Sequence, residues 1–400
     1  MRARTVGLLL TVCCGLTACS SEPVEQPSPA PQVPTPAPPT GTALKIEEVA
    51  GGLEHPWDVG FLPDGKVLVT QRPGRLALLS GMTPGATVTE VDADFADVLV
   101  KGEGGLMGLA VHPDFVHSRR FVTCQTRQNG GSPVDVRVVT WTLSPDGRSA
   151  QRVGDLLTGL PVNASGRHSG CRPTVAPDGA LLVGTGDIAD HPGIPQDRKN
   201  LGGKVLRIDL RTGEGLPDNP FASSPDPVER RLLTYGHRNV QGVAVQPGSD
   251  QVFISEHGPR GRDEVSKIIP GRNYGWDPSR GGTTDEYDES VSMSDTERFP
   301  DAVPPLWTSG SVSEAPSGAA FLAGTQWGQL EGRLAVVALR GQKMLLFRLD
   351  GSGAVTDVLL PPEFNDTHGR LRAARLGPDG ALYVSTSTGD NDKILRVTLA

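Results

Sequence analysis

The chain is poor in residues that mark several common classes of protein. Its 400 residues include five Cys, and aromatic residues make up only 5%. The sequence has neither the Cys-x-x-Cys-His motif of a c-type haem nor the Gly-x-Gly-x-x-Gly loop of a dinucleotide site. The chain therefore offers neither of these two redox cofactors a recognisable binding motif.

A basic surface and a helical pattern are also missing. Lys and Arg number 38 against 46 Asp and Glu, and the formal net charge of −8 argues against a nucleic-acid partner, whose phosphates need a positive surface. Beyond the N-terminus, no apolar run approaches the length of a membrane span. No run of amphipathic helical periodicity stands out among 50 Gly and 35 Pro, so the sequence favours strands.

The N-terminus has the pattern of a secretory signal. Two early arginines precede a short apolar run at residues 6–16, which is too short to remain as a spanning helix. The word LTAC at residues 16–19 matches the lipobox of bacterial lipoproteins, so we expect residues 1–18 to be cleaved and Cys19 to be lipidated. The alternative is an ordinary signal cut before that Cys. Ser20 carries no Asp-type retention signal, which favours an outer-membrane anchor facing the periplasm.

Residues 19–42 are predicted to form an extended tether, and residues 43–400 the folded body. The tether has eight Pro and almost no apolar side chains, so it cannot bury enough surface to fold. Once the signal is removed and Cys19 is lipidated, the remaining thiols are Cys124 and Cys171. A disulfide between them is a hypothesis, because the predicted compartment is oxidising.

A turn-and-strand phrase recurs along the body. It combines an Asp-Gly type of turn with alternating apolar residues, and its copies begin at Pro63, Pro177, Gly248 and Pro378. A second phrase, one Gly or Lys and then a strand, begins at Gly74, Gly203, Lys343 and Lys393. Hairpin signals repeated along a long chain predict an all-β fold of the β-propeller type. The spacing alone leaves five to eight blades open, and a large β-sandwich is the alternative.

Two neighbouring motifs carry the densest chemistry, TYGHRNVQG at residues 234–242 and SEHGPRGRDEVSKIIPGRNYGW at residues 255–276. The first supplies the polar side chains Arg238, Asn239 and Gln241. The second supplies oxygen atoms, from the carbonyls of Gly258 and Pro259 and from the side chains of Asp263 and Glu264. Arg matches carboxylates, and Ca2+ prefers oxygen ligands. Together the motifs suit a polyanionic cofactor held over a hard cation.

Three further loop motifs contain candidate site residues. They are GEGGLMGLAVHPDF at residues 102–115, SGRHSGCRPTVAPDGALLVGTGD at residues 165–187 and GRLRAARLGPDGALYV at residues 369–384. His168 lies in a Gly- and Ser-rich loop, where a neutral imidazole can remove a hydroxyl proton. Arg370 and Arg372 alternate by two, so on a strand they share a face and repel unless an anion lies between them.

In this order the motifs resemble those of the pyrroloquinoline quinone (PQQ)-dependent sugar dehydrogenases of the glucose/sorbosone dehydrogenase type. The resemblance covers most of residues 45–399 and implies a six-bladed β-propeller that binds PQQ and Ca2+. It implies that His168 is the general base, that Glu103 lies near the sugar, and that Arg238 stabilises charge on the quinone oxygen. The cofactor contacts that it implies are Arg238, Asn239, Gln241, Arg340, Arg370 and Arg372.

The resemblance also implies two calcium sites. The carbonyls of Gly258 and Pro259 would bind the cofactor-associated ion, which acts as a Lewis acid on the quinone. Glu264 and the carbonyl of Tyr274 would bind a second, structural ion.

Three positions depart from the family pattern. Cys171 stands where a small Gly is usual, and Arg167 replaces an acid that precedes the catalytic His in soluble glucose dehydrogenases. Arg340 falls where Lys is common, and the two cations differ in geometry at close range. These changes weaken glucose as the expected substrate without altering the expected reaction class. Arg172, in contrast, is expected to have a structural role.

The sequence therefore predicts a lipid-anchored quinoprotein that oxidises aldose sugars, or related polyols and aldehydes, to lactones. Its electrons would pass to a separate acceptor. One alternative is a calcium-dependent propeller lactonase, which would use carboxylates and Asn around a channel ion. The other is a redox-inactive propeller that binds a sugar or a protein.

Overall fold

The structure, a computed structural model, describes residues 41–400. In this range, 24 strands form six antiparallel four-stranded sheets arranged in a ring. The prediction of an all-β, six-bladed β-propeller is confirmed. No helix among residues 41–400 has the length and apolar character needed to cross a membrane. The predicted signal, Cys19 and nearly all of the tether lie outside the described residues.

Within each blade the first-named strand is the innermost and the last-named strand is the outermost. Blade 1 contains β2 (Pro56–Phe61), β3 (Val67–Gln71), β4 (Arg75–Leu79) and β5 (Val88–Val91). Blade 2 contains β6 (Leu106–Val111), β7 (Arg120–Asn129), β8 (Ser132–Leu143) and β9 (Ala150–Leu160). Blade 3 contains β10 (Arg172–Val175), β11 (Ala180–Gly184), β12 (Lys204–Asp209) and β13 (Leu232–Tyr235).

The other three blades follow the same order. Blade 4 contains β14 (Val240–Val245), β15 (Val252–Glu256), β16 (Glu264–Lys267) and β17 (Trp307–Thr308). Blade 5 contains β18 (Pro316–Phe321), β19 (Leu334–Ala338), β20 (Met344–Leu349) and β21 (Val355–Leu359). Blade 6 contains β22 (Leu371–Leu376), β23 (Leu382–Thr386), β24 (Asp392–Leu399) and β1 (Leu44–Leu53).

Helices in the described range are short. They are α1 (Phe115–Ser118), α2 (Pro227–Arg231) and two 3-10 turns at Thr325–Leu330 and Pro362–Phe364.

The core is divided into six apolar clusters, and each lies between two neighbouring blades. Strands in the middle of a blade are therefore apolar on both faces, as in β3, which is buried along its whole length. The inner strand of each blade contacts that of the next, including β22 with β2. The N-terminal strand β1 completes blade 6, where Leu44 pairs with Leu399. Burial of apolar area between the blades stabilises the ring.

The loops fall into two sets at opposite ends of the ring. The predicted turns and strands are confirmed: all four Asp-Gly type phrases form the turn between the first and second strands of a blade. The second phrases form third strands, a position that the sequence did not predict. Because the strands are antiparallel, the loops from the second to the third strand lie at the other end, together with the loops that lead to the next blade. Every candidate site residue other than Cys19 lies at this second end, here called the site end. It includes Glu103 before β6, His168 before β10, Arg238 before β14, Gly258 after β15, Arg340 after β19 and Arg370 before β22. Tyr274 reaches it because the long connection between β16 and β17 returns to the end of β13, where the Tyr274 N–H donates to the Tyr235 carbonyl at 2.9 Å.

Asp58 connects several inner strands. This fully buried carboxylate accepts hydrogen bonds from Arg375 Nε at 2.9 Å and from the Leu109 backbone N–H at 3.2 Å, and it lies 3.0 Å from Arg172 Nη1. Arg172 also donates to the carbonyl of Gln241 at 2.8 Å. Its contacts agree with the predicted structural role. We call Asp58, Arg172 and Arg375 the inner-strand hub.

Candidate functional site

His168 is held at the site end by a buried carboxylate. The side chain is only 5% exposed, and its Nδ1 lies 2.6 Å from Oδ1 of Asp187, which follows β11. A Cβ on Gly186 would collide with the His168 carbonyl oxygen, so glycine is required for this approach. With Nδ1 engaged, the other ring nitrogen, Nε2, remains as the one that can take a proton.

The second carboxylate oxygen of Asp187 accepts two further hydrogen bonds. Trp276 Nε1 donates to Oδ2 at 2.6 Å and the Tyr287 hydroxyl donates to it at 2.5 Å. Burial would raise the pKa of Asp187, but the positive charge of His168 and Arg238 and the hydrogen bonds lower it below its ordinary value. The carboxylate therefore stays ionised and orients the imidazole. Sequence reasoning missed Asp187, although it ends the GTGD word in the predicted motif.

A disulfide secures the His168 loop. Cys124 in β7 and Cys171, three residues after His168, form a bond with a Cα–Cα distance of 6.0 Å, so the disulfide hypothesis is confirmed. His168 and Cys171 both have positive φ, at 51° and 64°. Cys171, which stands where a small Gly is usual in the family pattern, thus ties the loop to blade 2.

Arg238 is buried beside the His168–Asp187 pair. Its Nη1 donates to the His257 carbonyl at 3.0 Å and its Nη2 donates to Glu289 at 2.8 Å. Its Nε is buried and has no hydrogen-bond partner among the described residues. Burial would lower the pKa of Arg238, but the negative charge of Asp187 and Glu289 raises it, so the group stays charged.

Glu103, Asn239 and Gln241 form one hydrogen-bonded network. Glu103 Oε2 accepts from Asn239 Nδ2 at 3.0 Å and from Gln241 Nε2 at 3.2 Å. Burial would raise the pKa of Glu103, but the neighbouring His168 imidazole, the hydrogen bond from Asn239 and the positive charge of Arg372 lower it below its ordinary value. The structure therefore brings the predicted substrate residue into contact with two predicted cofactor residues.

Arg372 joins this network to a group of cations without acidic partners. Its Nη1 donates to Gln241 Oε1 at 2.9 Å, and its Nε is buried without a partner in the described part of the chain. Burial and the neighbouring Arg172 and Arg370 lower the pKa of Arg372 to about 9. Arg72, Arg370 and Arg372 lie near enough to repel one another, and within residues 41–400 none of them forms an ion pair with a carboxylate. We call these three the arginine cluster; a polycarboxylate such as PQQ fits it, because anionic groups would supply the missing partners.

Two other predicted positions are exposed. The Arg340 side chain has no acidic partner among the described residues, and its backbone N–H donates to the Glu314 carbonyl at 3.0 Å. It lies at the site end, as the arginine cluster does. Arg167 pairs with Glu289 at 2.6 Å. No sequence motif pointed to Arg72 or Glu289 as parts of the site.

The carbonyls of Gly258 and Pro259 suit a hard cation. Neither accepts a hydrogen bond from any described residue, and both residues are buried. The neighbouring His257 has a buried Nε2 that also lacks a partner, and burial lowers the pKa of His257 to about 4, so the ring is neutral. Residues 41–400 contain no group of three or more His, Cys, Asp or Glu side chains arranged to hold a metal, so main-chain oxygens would have to contribute.

Glu264 and Tyr274 lie on separate segments near Ser294. Glu264 is buried and is paired with Glu256 across β15 and β16, and burial and this second carboxylate raise the pKa of Glu264 well above its ordinary value. Ser294 Oγ donates to Glu264 at 3.4 Å, and the next residue's N–H donates to the carbonyl of Gly275, which follows Tyr274. A cation would offset this carboxylate repulsion, which makes the second calcium site chemically reasonable.

The chain is similar in sequence and in fold to proteins already described. The model of the family described as glucose/sorbosone dehydrogenase matches residues 53–396. The chain is 29% identical over 363 residues to an aldose sugar dehydrogenase of Escherichia coli K12, covering 89% of this chain and 93% of the relative. It is 31% identical to the PQQ-bound aldose sugar dehydrogenase of Streptomyces coelicolor, with a TM-score of 0.70 over 90% of this chain and 99% of the other. It is 28% identical to the apo form of the soluble aldose sugar dehydrogenase of E. coli, with a TM-score of 0.74 over 90% and 100%.

Proposed function

Because the chain belongs to the glucose/sorbosone dehydrogenase family, we propose that it oxidises aldose sugars, or related polyols and aldehydes, to lactones with PQQ as its cofactor. The observation that carries this proposal is the placement of the His168–Asp187 pair and the acid-free arginine cluster at the same end of the ring. One group offers a base for the sugar hydroxyl, and the other offers cations for a polycarboxylate.

The residues that would hold PQQ are those of the arginine cluster, with Arg238, Asn239, Gln241 and Arg340. When bound, PQQ supplies a quinone carbon that accepts hydride from the sugar. Arg370 and Arg372 present donors that match carboxylates, and Arg238 is held rigidly enough to stabilise negative charge without reorganising. Gln241 connects Arg372 to Glu103 and so couples the cofactor and sugar sides of the site.

His168 would act as the general base. Its Nε2 would take the proton of the anomeric hydroxyl while the hydrogen on the same carbon leaves as hydride, which converts a cyclic aldose into its lactone. Asp187 accepts a hydrogen bond from Nδ1 and stabilises the imidazolium that forms. Glu103 would orient the sugar through its free acceptor capacity.

Calcium is the second cofactor in this proposal. The carbonyls of Gly258 and Pro259 would hold the cofactor-associated ion, which would supply Lewis-acid chemistry toward the quinone. Glu264 and the carbonyl of Tyr274 would bind a structural ion. Support comes from unsatisfied main-chain oxygens at the first position and a buried, repelled carboxylate at the second.

The proposed location is the cell envelope. Cleavage before Cys19 and its lipidation would anchor the protein, in the outer membrane facing the periplasm if the cell has two membranes. The electrons would leave for an external acceptor, and sugar would reach the site by diffusion.

The lactonase alternative is less well supported. A calcium-dependent lactonase needs carboxylates and Asn around its ion and has no use for Arg370 and Arg372. The acid-free arginine cluster therefore favours the dehydrogenase.

The test is reconstitution. Purified protein would be stripped with a chelator and mixed with PQQ and Ca2+, and dye reduction would be followed with a panel of aldoses, pentoses and disaccharides. We expect activity that requires both additions. Tight PQQ binding with no reduction by any sugar would favour a redox-inactive binding protein. No PQQ binding, with calcium-dependent lactone hydrolysis, would favour the lactonase.

A further inference from the structure

Glu289 joins three loops at the mouth of the site. It lies in residues 268–306, the long connection between β16 and β17, and its carboxylate is one-quarter exposed. The same oxygen, Oε1, accepts from Arg238 Nη2 at 2.8 Å and from Arg167 Nη2 at 2.6 Å. Arg167 comes from the loop before β10, and Arg238 from the loop before β14. None of the functional assignments above uses this carboxylate.

The two sets of guanidinium groups at the site end differ in charge balance. Among residues 41–400, Glu289 is the only carboxylate hydrogen-bonded to the Arg238 side chain, whereas the arginine cluster has no such partner. A carboxylate in contact with a guanidinium offsets most of its field, so Arg238 attracts an anion less strongly than an unpaired guanidinium in the same place. The arginine cluster therefore attracts an anion strongly, whereas the charge of Arg238 is largely offset by the carboxylate of Glu289.

We propose that Glu289 is an internal counter-ion of Arg238, held in place by Arg167, which keeps the guanidinium oriented and lowers the affinity of the site for its anionic cofactor. This inference rests on the proposed function. It makes Glu289 a positioning residue, since it touches Arg238 and not the reacting atoms. It also gives Arg167, one of the three positions that depart from the family pattern, a role in holding the counter-ion.

The main test is the sign of a change in PQQ affinity. Glu289→Gln removes the charge and keeps an oxygen acceptor, so it leaves Arg238 as a buried cation that an anion can neutralise. We expect the dissociation constant of PQQ, measured by titration on chelator-treated protein with Ca2+ added back, to fall about 5-fold or more. A residue that only supports the loop would give the opposite sign, because loosening the site weakens binding.

The neighbouring residue Asp288 provides a matched control for Glu289. Asp288 belongs to the same connection and makes a similar ion pair, with Arg280, but it does not contact Arg238. Asp288→Asn should leave the PQQ dissociation constant within about 2-fold of the wild type.

Arg167→Ala provides a second variant with the opposite expectation. Without Arg167, Glu289 has Arg238 as its sole partner, so PQQ binding should weaken about 3-fold or more. In the double variant with Glu289→Gln this effect should largely disappear, because the two residues act through one contact.

The outcomes separate the two proposals. If the wild-type protein binds no PQQ, the proposed function fails and this inference fails with it. If the wild type binds PQQ but Glu289→Gln binds it equally or more weakly, the counter-ion role is wrong and the proposed function stands. An equal gain in Asp288→Asn would also overturn the counter-ion role, because the effect would then come from general surface charge.

Discussion

The pairing of His168 with Asp187 illustrates how much of the site depends on single contacts. The imidazole is buried, and a carboxylate that itself accepts from Trp276 and Tyr287 fixes its Nδ1. The family resemblance implies an acid at the position of Arg167, in front of this His, but Asp187 supplies a carboxylate from the loop after β11. The imidazole is therefore oriented despite the sequence departure.

His168→Ala is expected to separate binding from turnover. Loss of the general base should lower kcat by about 10²- to 10⁴-fold. The PQQ dissociation constant should change little, because the arginine cluster remains. Single-turnover dye reduction and PQQ titration measure the two quantities. His112→Ala is the matched control, since His112 follows β6 at the end of the ring opposite the site. Retained turnover in His168→Ala would remove His168 from the mechanism.

Asp187→Asn is expected to keep the shape of the site and lose the charge. The neutral amide cannot stabilise an imidazolium, so kcat should fall by about 10²-fold or more while the KM for the sugar changes little. Steady-state kinetics would show the split between kcat and KM. A fall confined to KM would mean that Asp187 acts in sugar binding and not through His168.

Some residues of the site could be predicted from sequence motifs, and others could not. His168, Arg238, Asn239, Gln241 and Arg372 lie inside recognisable motifs, and the structure places them together. Asp187 is 19 residues from its partner, and Glu289 is 122 residues from Arg167. Glu289 belongs to a polar insertion without a motif. Its role depends on a loop returning across the ring, which local pattern does not encode.

Among the structural elements, the loop before β10 is fixed covalently as well as by hydrogen bonds. The Cys124–Cys171 bond joins blades 2 and 3 and spans 47 residues of sequence. A bond that closes a loop of this length restricts the unfolded chain and also limits the freedom of the His168 backbone.

The double substitution Cys124→Ser/Cys171→Ser is expected to lower the free energy of unfolding by about 2–4 kcal/mol. Urea unfolding of the variant and of the oxidised wild type would measure the difference. Wild-type protein in reductant is the control and should approach the variant. Equal midpoints for variant and oxidised protein would show that the disulfide contributes nothing to stability.

The strands followed from the sequence better than the connections did. Asp-Gly turns act locally, so the phrases at Pro63, Pro177 and Pro378 predicted their hairpins correctly. Outer strands gave weaker signals, since β17 has only two residues and much of β5 is exposed. The number of blades came from the family resemblance, because repeat spacing varies with loop length.

At the scale of the whole molecule, the inner-strand hub is a point at which several blades meet. Asp58 is buried in blade 1 and contacts Arg172 of blade 3, Arg375 of blade 6 and the backbone of blade 2. Burial would raise the pKa of Asp58, but Arg375 and Arg172 lower it below its ordinary value. The ionised carboxylate therefore contributes stability above its unfolded-state pKa of about 3.9, and this contribution is lost as the pH falls through the lower folded-state value.

Asp58→Asn is expected to destabilise the protein by about 3–5 kcal/mol at pH 7, because it leaves the buried guanidinium of Arg172 and the partly buried guanidinium of Arg375 without a counter-charge. The difference from the wild type should shrink as the pH falls below about 4. Urea unfolding at a series of pH values measures both effects, with the exposed Asp64→Asn as the control. A constant difference across this pH range would contradict the assignment of the stability to the ionised form.

The pairing of β1 with β24 has a consequence for the order of the chain. Leu44 lies opposite Leu399, and the Ala400 N–H donates to the Ala43 carbonyl at 2.9 Å, so the two ends of the body meet in one blade. The ring itself has no physical beginning. A circularly permuted gene that joins residue 400 to residue 43 through a short linker and opens the chain in the Asp64–Gly65 turn should fold to the same six blades. Its new termini would emerge at the end away from the sugar site, where a fused electrode-binding or reporter domain would leave catalysis unobstructed.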